Sequence, residues 1–155
     1  MKTIYIIGAF RAKNQWLQER NVRRCEDMIQ NLIQVCGRKI NVISVQTMYR
    51  NFSGTQPDSY WLQCTMATLE LCHAAFVIQS QETLLSEGSR AEILRCEELG
   101  IPVFYFPIDV STWVDTLENG GEWPPTDTSA PSAAAPESGR TPSGGPDPQR
   151  ESSEK

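Results

Sequence analysis

Residues Ser86–Phe106, "SEGSRAEILRCEELGIPVFYF", decide how this chain is read. Helix formers run from Glu87 to Leu99, and Gly100 stands where a left-handed stop belongs. "PVFYF", Pro102–Phe106, then reads as a buried strand. A helix that ends at a glycine and feeds straight into an apolar strand is the returning half of a β-α-β crossover. A parallel sheet requires that the rest of the chain repeat the unit.

It does. "TIYIIGAF", Thr3–Phe10, is a short and nearly unbroken apolar run, rich in β-branched residues and interrupted by Gly8. Such a run suits a strand covered on both faces. A helical pattern begins at Asn14: Cys25, Met28, Ile29, Leu32, Ile33 and Cys36 recur at helical spacing, and Gly37 is placed as the stop. "INVISV", Ile40–Val45, is the second strand. A polar loop follows, and Pro57 suits the first turn of a second helix reaching about Cys72. "AAFVI", Ala74–Ile78, is the third strand, and "VSTWVDTLEN", Val110–Asn119, is a last short helix. Strands alternating with helices predict an α/β domain: a flavodoxin- or Rossmann-like parallel sheet of about four to five strands, with helices on both faces.

From residue 124 the composition changes. Pro, Ser, Gly, Ala and charged residues dominate, and no aromatic or branched aliphatic residue occurs. This stretch has too little apolar surface to offset the entropy of ordering, so residues 1–123 are expected to form the domain and 124–155 a disordered tail. The net charge of −5 and pI near 4.9 speak against binding duplex nucleic acid, which calls for a basic face. A small anionic ligand needs only one local positive site. Cys25, Cys36, Cys64, Cys72 and Cys96 are odd in number and lack paired spacing, which fits buried reduced thiols of a cytoplasmic protein. No apolar run approaches the length needed to span a membrane, and "KTIYIIGAF" is too short for a signal peptide. Neither a metal nor another cofactor is expected.

In open parallel sheets, ligands bind at the carboxyl ends of the strands. That rule brings the loops Gly8–Asn14, Gln46–Tyr60 and Gln79–Gly88 to one edge. Gly8 suits a tight turn, and Arg11 suits a phosphate or carboxylate. Later glycines of a dinucleotide fingerprint are missing. Ser86 and Gly88 stand at a helix start, where free N–H groups favour anions, and Glu92 is expected in the first turn, held ionised by the helix dipole. Each of these features is equally at home in a plain turn or helix cap. Tyr49, Phe52, Tyr60 and Trp61 flank the second loop and suit either an aromatic slot for a base or a patch that packs the loop down. Trp16 and Trp113 are expected in the core or an interface. His73 falls at the opposite edge, away from any ligand.

Taken together, "KTIYIIGAFR" and "SEGSRAEILRCEELGIPVF" resemble the nucleoside 2-deoxyribosyltransferase-like superfamily, which includes base-exchanging transferases and nucleoside 5′-monophosphate N-glycosidases. The likeness covers about Lys2–Pro107. It implies cleavage of an N-glycosidic bond in a nucleoside or nucleotide, by hydrolysis or transfer, within a homo-oligomer. It also implies Glu92 as the nucleophile, puts the family's strand-one tyrosine at Tyr5, and implies Arg11 and Ser86 as holders of a 5′-phosphate beside Gly8 and Gly88. One departure stands out. The family's aspartate on the second helix falls on Thr65, which cannot act as an acid at neutral pH; Asp58, Glu82 and Glu87 are the nearby carboxylates open to that role. Alternatives are a nucleotide-binding protein without catalysis, and a glycohydrolase that cleaves NAD.

Overall fold

The computed structural model describes residues 1–52 and 55–123. The segment 124–155, expected as a tail, lies outside the described residues. In chain order the elements are β1 (Lys2–Ile7), α1 (Gln15–Cys36), β2 (Ile40–Ile43), α2 (Val45–Met48), α3 (Asp58–Leu69), β3 (Ala74–Val77), α4 (Gln81–Leu85), α5 (Glu87–Leu99), β4 (Val103–Phe104) and α6 (Pro107–Glu118). Four parallel strands lie in the order β2-β1-β3-β4, with Ile4 opposite both Val42 and Ala74, and Phe76 opposite Phe104. This is the flavodoxin/Rossmann-like α/β arrangement.

Alternation along the strands divides the core in two. Ile4, Ile6, Ala74 and Phe76 point to one face and pack with Cys25, Leu32 and Cys36 of α1 and Val110, Trp113 and Val114 of α6. Tyr5, Ile7, Ala75 and Val77 point to the other and pack with Leu69 of α3 and Cys96 of α5. Both faces of β1 and β3 are thereby sealed, which is why their sequences show no polar alternation.

Local chemistry sets the boundaries. The Asn14 side chain accepts from the Leu17 N–H and starts α1; Gly37 and Gly100, with φ of 62° and 66°, end α1 and α5. Strand β2 stops at Ile43, short of Val45, because Ser44 caps a one-turn helix by accepting from the Thr47 N–H. Strand β4 is only two residues long, since it pairs on one side and Pro107 already begins α6, three residues before the expected start. Ile33 is 49% exposed on the outer side of α1 rather than in its apolar stripe. Trp113 joins the core, but Trp16 is 67% exposed and lies over the Arg20 guanidinium. His73 accepts the Thr3 N–H on Nδ1 at 3.1 Å and ties the first ends of β1 and β3 together, the structural role its edge predicts. Among the described residues, no helix is long and apolar enough to cross a membrane.

The strand order has a consequence for ligands. From β1 the chain moves outward to β2, then crosses back over β1 to β3. The loops leaving β1 and β3 therefore depart in opposite directions and open a crevice above these two strands.

Candidate functional site

Tyr5 and Glu92 meet just below that crevice. Tyr5 stands on the β1 face that packs against α3 and α5, and Glu92 stands on the buried side of α5 with Ser89 and Cys96. The Tyr5 hydroxyl donates to Glu92 Oε1 at 2.7 Å, across 87 positions of sequence. Tyr5 is fully buried and Glu92 is 5% exposed, amid Ile7, Val45, Leu69, Cys72, Ala75 and Val77. A carboxylate in such surroundings resists ionisation. Burial pushes Glu92 up to about 7, although the Tyr5 and Thr65 hydroxyls both favour its charged form. Burial and the nearby carboxylate also raise Tyr5, so it remains a neutral donor. Thr65 of α3 stands beside the pair, and its hydroxyl donates to the Leu62 carbonyl at 2.9 Å. A hydroxyl has one proton, so serving Leu62 and serving Glu92 are alternatives.

Ser86 stands at the start of α5 as expected, whereas the expectations for Gly88 and Glu92 change. Ser86 is the N-cap, its hydroxyl accepting the Ser89 N–H at 3.2 Å. Gly88 lies inside the helix rather than in the preceding loop, and its φ is not positive. An added Cβ there would meet only Ser86 Oγ, at 3.8 Å, so no neighbour within the chain requires the glycine. Glu92 is the sixth residue of α5, beyond the first turn to which the helix dipole's effect is confined. Its burial outweighs the dipole and pushes it up to about 7, above the ordinary carboxylate range that the sequence suggested.

Gly8 is explained by close approach rather than by a left-handed turn. A Cβ would sit 3.2 Å from Ile78 Cδ1 and 3.3 Å from Cys25 Sγ. The Gly8 carbonyl accepts from Gln46 Nε2 at 2.8 Å, and Gln46 Oε1 accepts from the Ser44 hydroxyl at 2.9 Å. The Ala9 N–H donates to Thr83 Oγ1 at 3.2 Å, and Thr83 is bonded to Ser80 at 3.0 Å. These buried residues bind the ends of β1, β2 and β3 into one polar frame under the crevice. Sequence reading missed Gln46 and Thr83. Their signal was the spacing Ser44-x-x-Thr47 and Ser80-x-x-Thr83, which marks helix N-caps at strand ends.

Above the frame, Arg11 Nη2 donates to Asp58 Oδ1, joining the loop after β1 to the start of α3. Both are exposed, so water screens this ion pair. Glu82 turns away from Glu92: Arg20 and Arg24 hold it on the α1 side, Arg24 Nη1 at 2.7 Å, and its own backbone N–H, followed by these arginines, keeps it low at about 2. It borders a cleft of about 680 Å³ with Asp27, Gln79 and Ser80, on the opposite face of the sheet from Glu92. A carboxylate so tightly ionised supplies no proton at neutral pH. Glu87 is exposed at the start of α5.

The aromatics form a chain of rings. Tyr49 and Trp61 lie 4.9 Å apart between centroids, and Tyr60 meets Trp61 edge-on at 5.1 Å. Tyr49 packs on the Tyr5 side of the core, whereas Phe52 and Tyr60 are 53% and 46% exposed. Tyr49 and Trp61 thus tie the end of α2 to α3. Among the described residues no group of three His, Cys, Asp or Glu side chains is arranged to hold a metal ion. All five cysteines are free, four of them buried. A scan against protein-family models finds no match, and a comparison with curated proteins finds none either.

Proposed function

We propose that this protein cleaves the N-glycosidic bond of a nucleoside or nucleoside 5′-monophosphate, with Glu92 as nucleophile. The buried Tyr5–Glu92 hydrogen bond carries this reading. Burying a carboxyl among apolar side chains costs several kcal/mol of ionisation that folding alone does not recover. Tyr5 holds one carboxylate oxygen and leaves the other for attack on C1′. The C1′–Oε bond to Glu92 forms as the bond to the base breaks; the base leaves with the bonding electrons and takes up a proton from water, and water or another base then attacks C1′ from the opposite side, releasing the Glu92 carboxylate and giving up its proton to solvent. Arg11 and Ser86, at the crevice edge, favour a substrate bearing a 5′-phosphate. Since Glu92 must be ionised to attack, base release rises with pH through about 7.

A second reading has its own support. Glu92 is 5% exposed, and Thr65 brings no acid for the leaving base. A protein that binds nucleotides and performs no chemistry also accommodates these facts. Chromatography after incubation with nucleosides, nucleoside 5′-monophosphates and NAD separates the two. Release of free base by the wild type and not by Glu92→Gln is the expected result. Binding without release, by both, favours the binding protein, and no binding by either removes both readings.

A further inference from the structure

Two buried polar atoms on the elements around Tyr5 and Glu92 have no hydrogen-bond partner among the described residues: Ser89 Oγ and Trp61 Nε1. Ser89 is 2% exposed and shares the buried side of α5 with Glu92. Residues three apart on a helix are surface neighbours, with Cβ atoms roughly 5–6 Å apart. Because α5 starts at the carboxyl edge of the sheet, Ser89 lies one turn above Glu92, toward the crevice. Trp61 stands one turn before Thr65 on α3, the helix packed against α5, and so also lies on the crevice side of the pair. Folding has nothing to gain from either group: alanine at 89 or phenylalanine at 61 would fill the space without an unmet hydrogen bond.

We infer that the Ser89 hydroxyl, with the Trp61 indole N–H as its counterpart on α3, is a binding contact for the sugar of the substrate. This rests on the proposed function, which puts the anomeric carbon against Glu92. The atoms within reach one turn above Glu92 are then the oxygens beside that carbon, the ring oxygen and any 2′-hydroxyl. A serine hydroxyl donates to the first and either donates to or accepts from the second. Trp61 donates only, so it takes a further acceptor on the sugar or base.

The test uses the full chain carrying Glu92→Gln, so that ligand binds without turnover. Adenosine 5′-monophosphate and its 2′-deoxy form are the probes, read by calorimetry, and thermal denaturation is read without ligand. Ser89→Ala is expected to raise the melting temperature of the free protein and to weaken binding about three- to tenfold. Loss with both probes assigns the ring oxygen, and loss with the ribose form alone assigns the 2′-hydroxyl. Trp61→Phe, which keeps the ring contact with Tyr49, should show the same opposite signs. A lower melting temperature with unchanged affinity would overturn the inference, because the hydroxyl then serves the fold. A higher melting temperature with unchanged affinity overturns it as well. A Glu92→Gln protein that binds neither probe nor any nucleoside sinks the proposed function itself, a failure distinct from a loss confined to Ser89 and Trp61.

Discussion

The Glu92→Gln substitution tests the central electrostatic argument independently of any substrate. In the unfolded chain Glu92 titrates at its ordinary value of 4.5; in the fold, burial pushes it to about 7. Between these values the folded protein holds a proton that the unfolded chain has released. The stabilising contribution is therefore complete below pH 4.5, is lost progressively as pH rises to the folded value of about 7, and is gone above it. The gap corresponds to roughly 3 kcal/mol at about 1.4 kcal/mol per pH unit, a sizeable part of the total stability of a small domain. Glutamine keeps the shape and the oxygen that accepts from Tyr5 but cannot ionise. Urea denaturation of both proteins between pH 4.5 and 8 measures the difference directly, since titrations elsewhere in the molecule cancel. The variant should gain on the wild type by roughly 3 kcal/mol across that range, with most of the gain below pH 7. Parallel stability curves would show that Glu92 ionises like a surface carboxylate and that burial does not shift it.

Further outcomes follow from the same geometry. Tyr5→Phe removes the donor to the Glu92 carboxylate, a charge-assisted bond worth about 1.5–3 kcal/mol, so the midpoint of the pH profile for base release should move up by about one to two pH units; an unmoved midpoint would show that Tyr5 does not act on Glu92. Arg11→Ala should weaken a 5′-monophosphate by roughly ten- to a hundredfold and the matching nucleoside far less, while Asp58→Asn, which removes a competing carboxylate, should tighten the monophosphate. Equal effects on both ligands, measured by calorimetry, would show that Arg11 does not read phosphate. Gly8→Ala crowds Ile78 and Cys25 and should cost roughly 1–3 kcal/mol of stability by denaturant titration; an unchanged midpoint would mean that the two side chains yield freely. Light scattering should find a homo-oligomer both for the full chain and for one ending at Trp123, and a monomeric full chain contradicts this.

The elements that local chemistry controls could be read from the sequence. Continuous apolar runs at Ile4–Ile7 and Ala74–Val77 announce strands covered on two faces, and Asn14, Gly37 and Gly100 mark helix ends by what their own side chains, or lack of one, allow. From these the parallel α/β class follows. Glu92, Tyr5, Arg11 and Asp58 were also singled out, but as separate candidates on separate elements. Their pairing, Tyr5 with Glu92 and Arg11 with Asp58, is a property of the strand order and of how α3 and α5 settle on the sheet. The charge state of Glu92 belongs to the same level. Its place near a helix start argues for an ionised carboxylate, and only the apolar residues gathered from β1, β3, α3 and α5 oppose that. Spacing along the chain reports local hydrogen bonds and periodicity. Desolvation sums over neighbours distant in sequence, and so burial, and with it the unmet hydroxyl of Ser89, was decided only when the chain closed on itself.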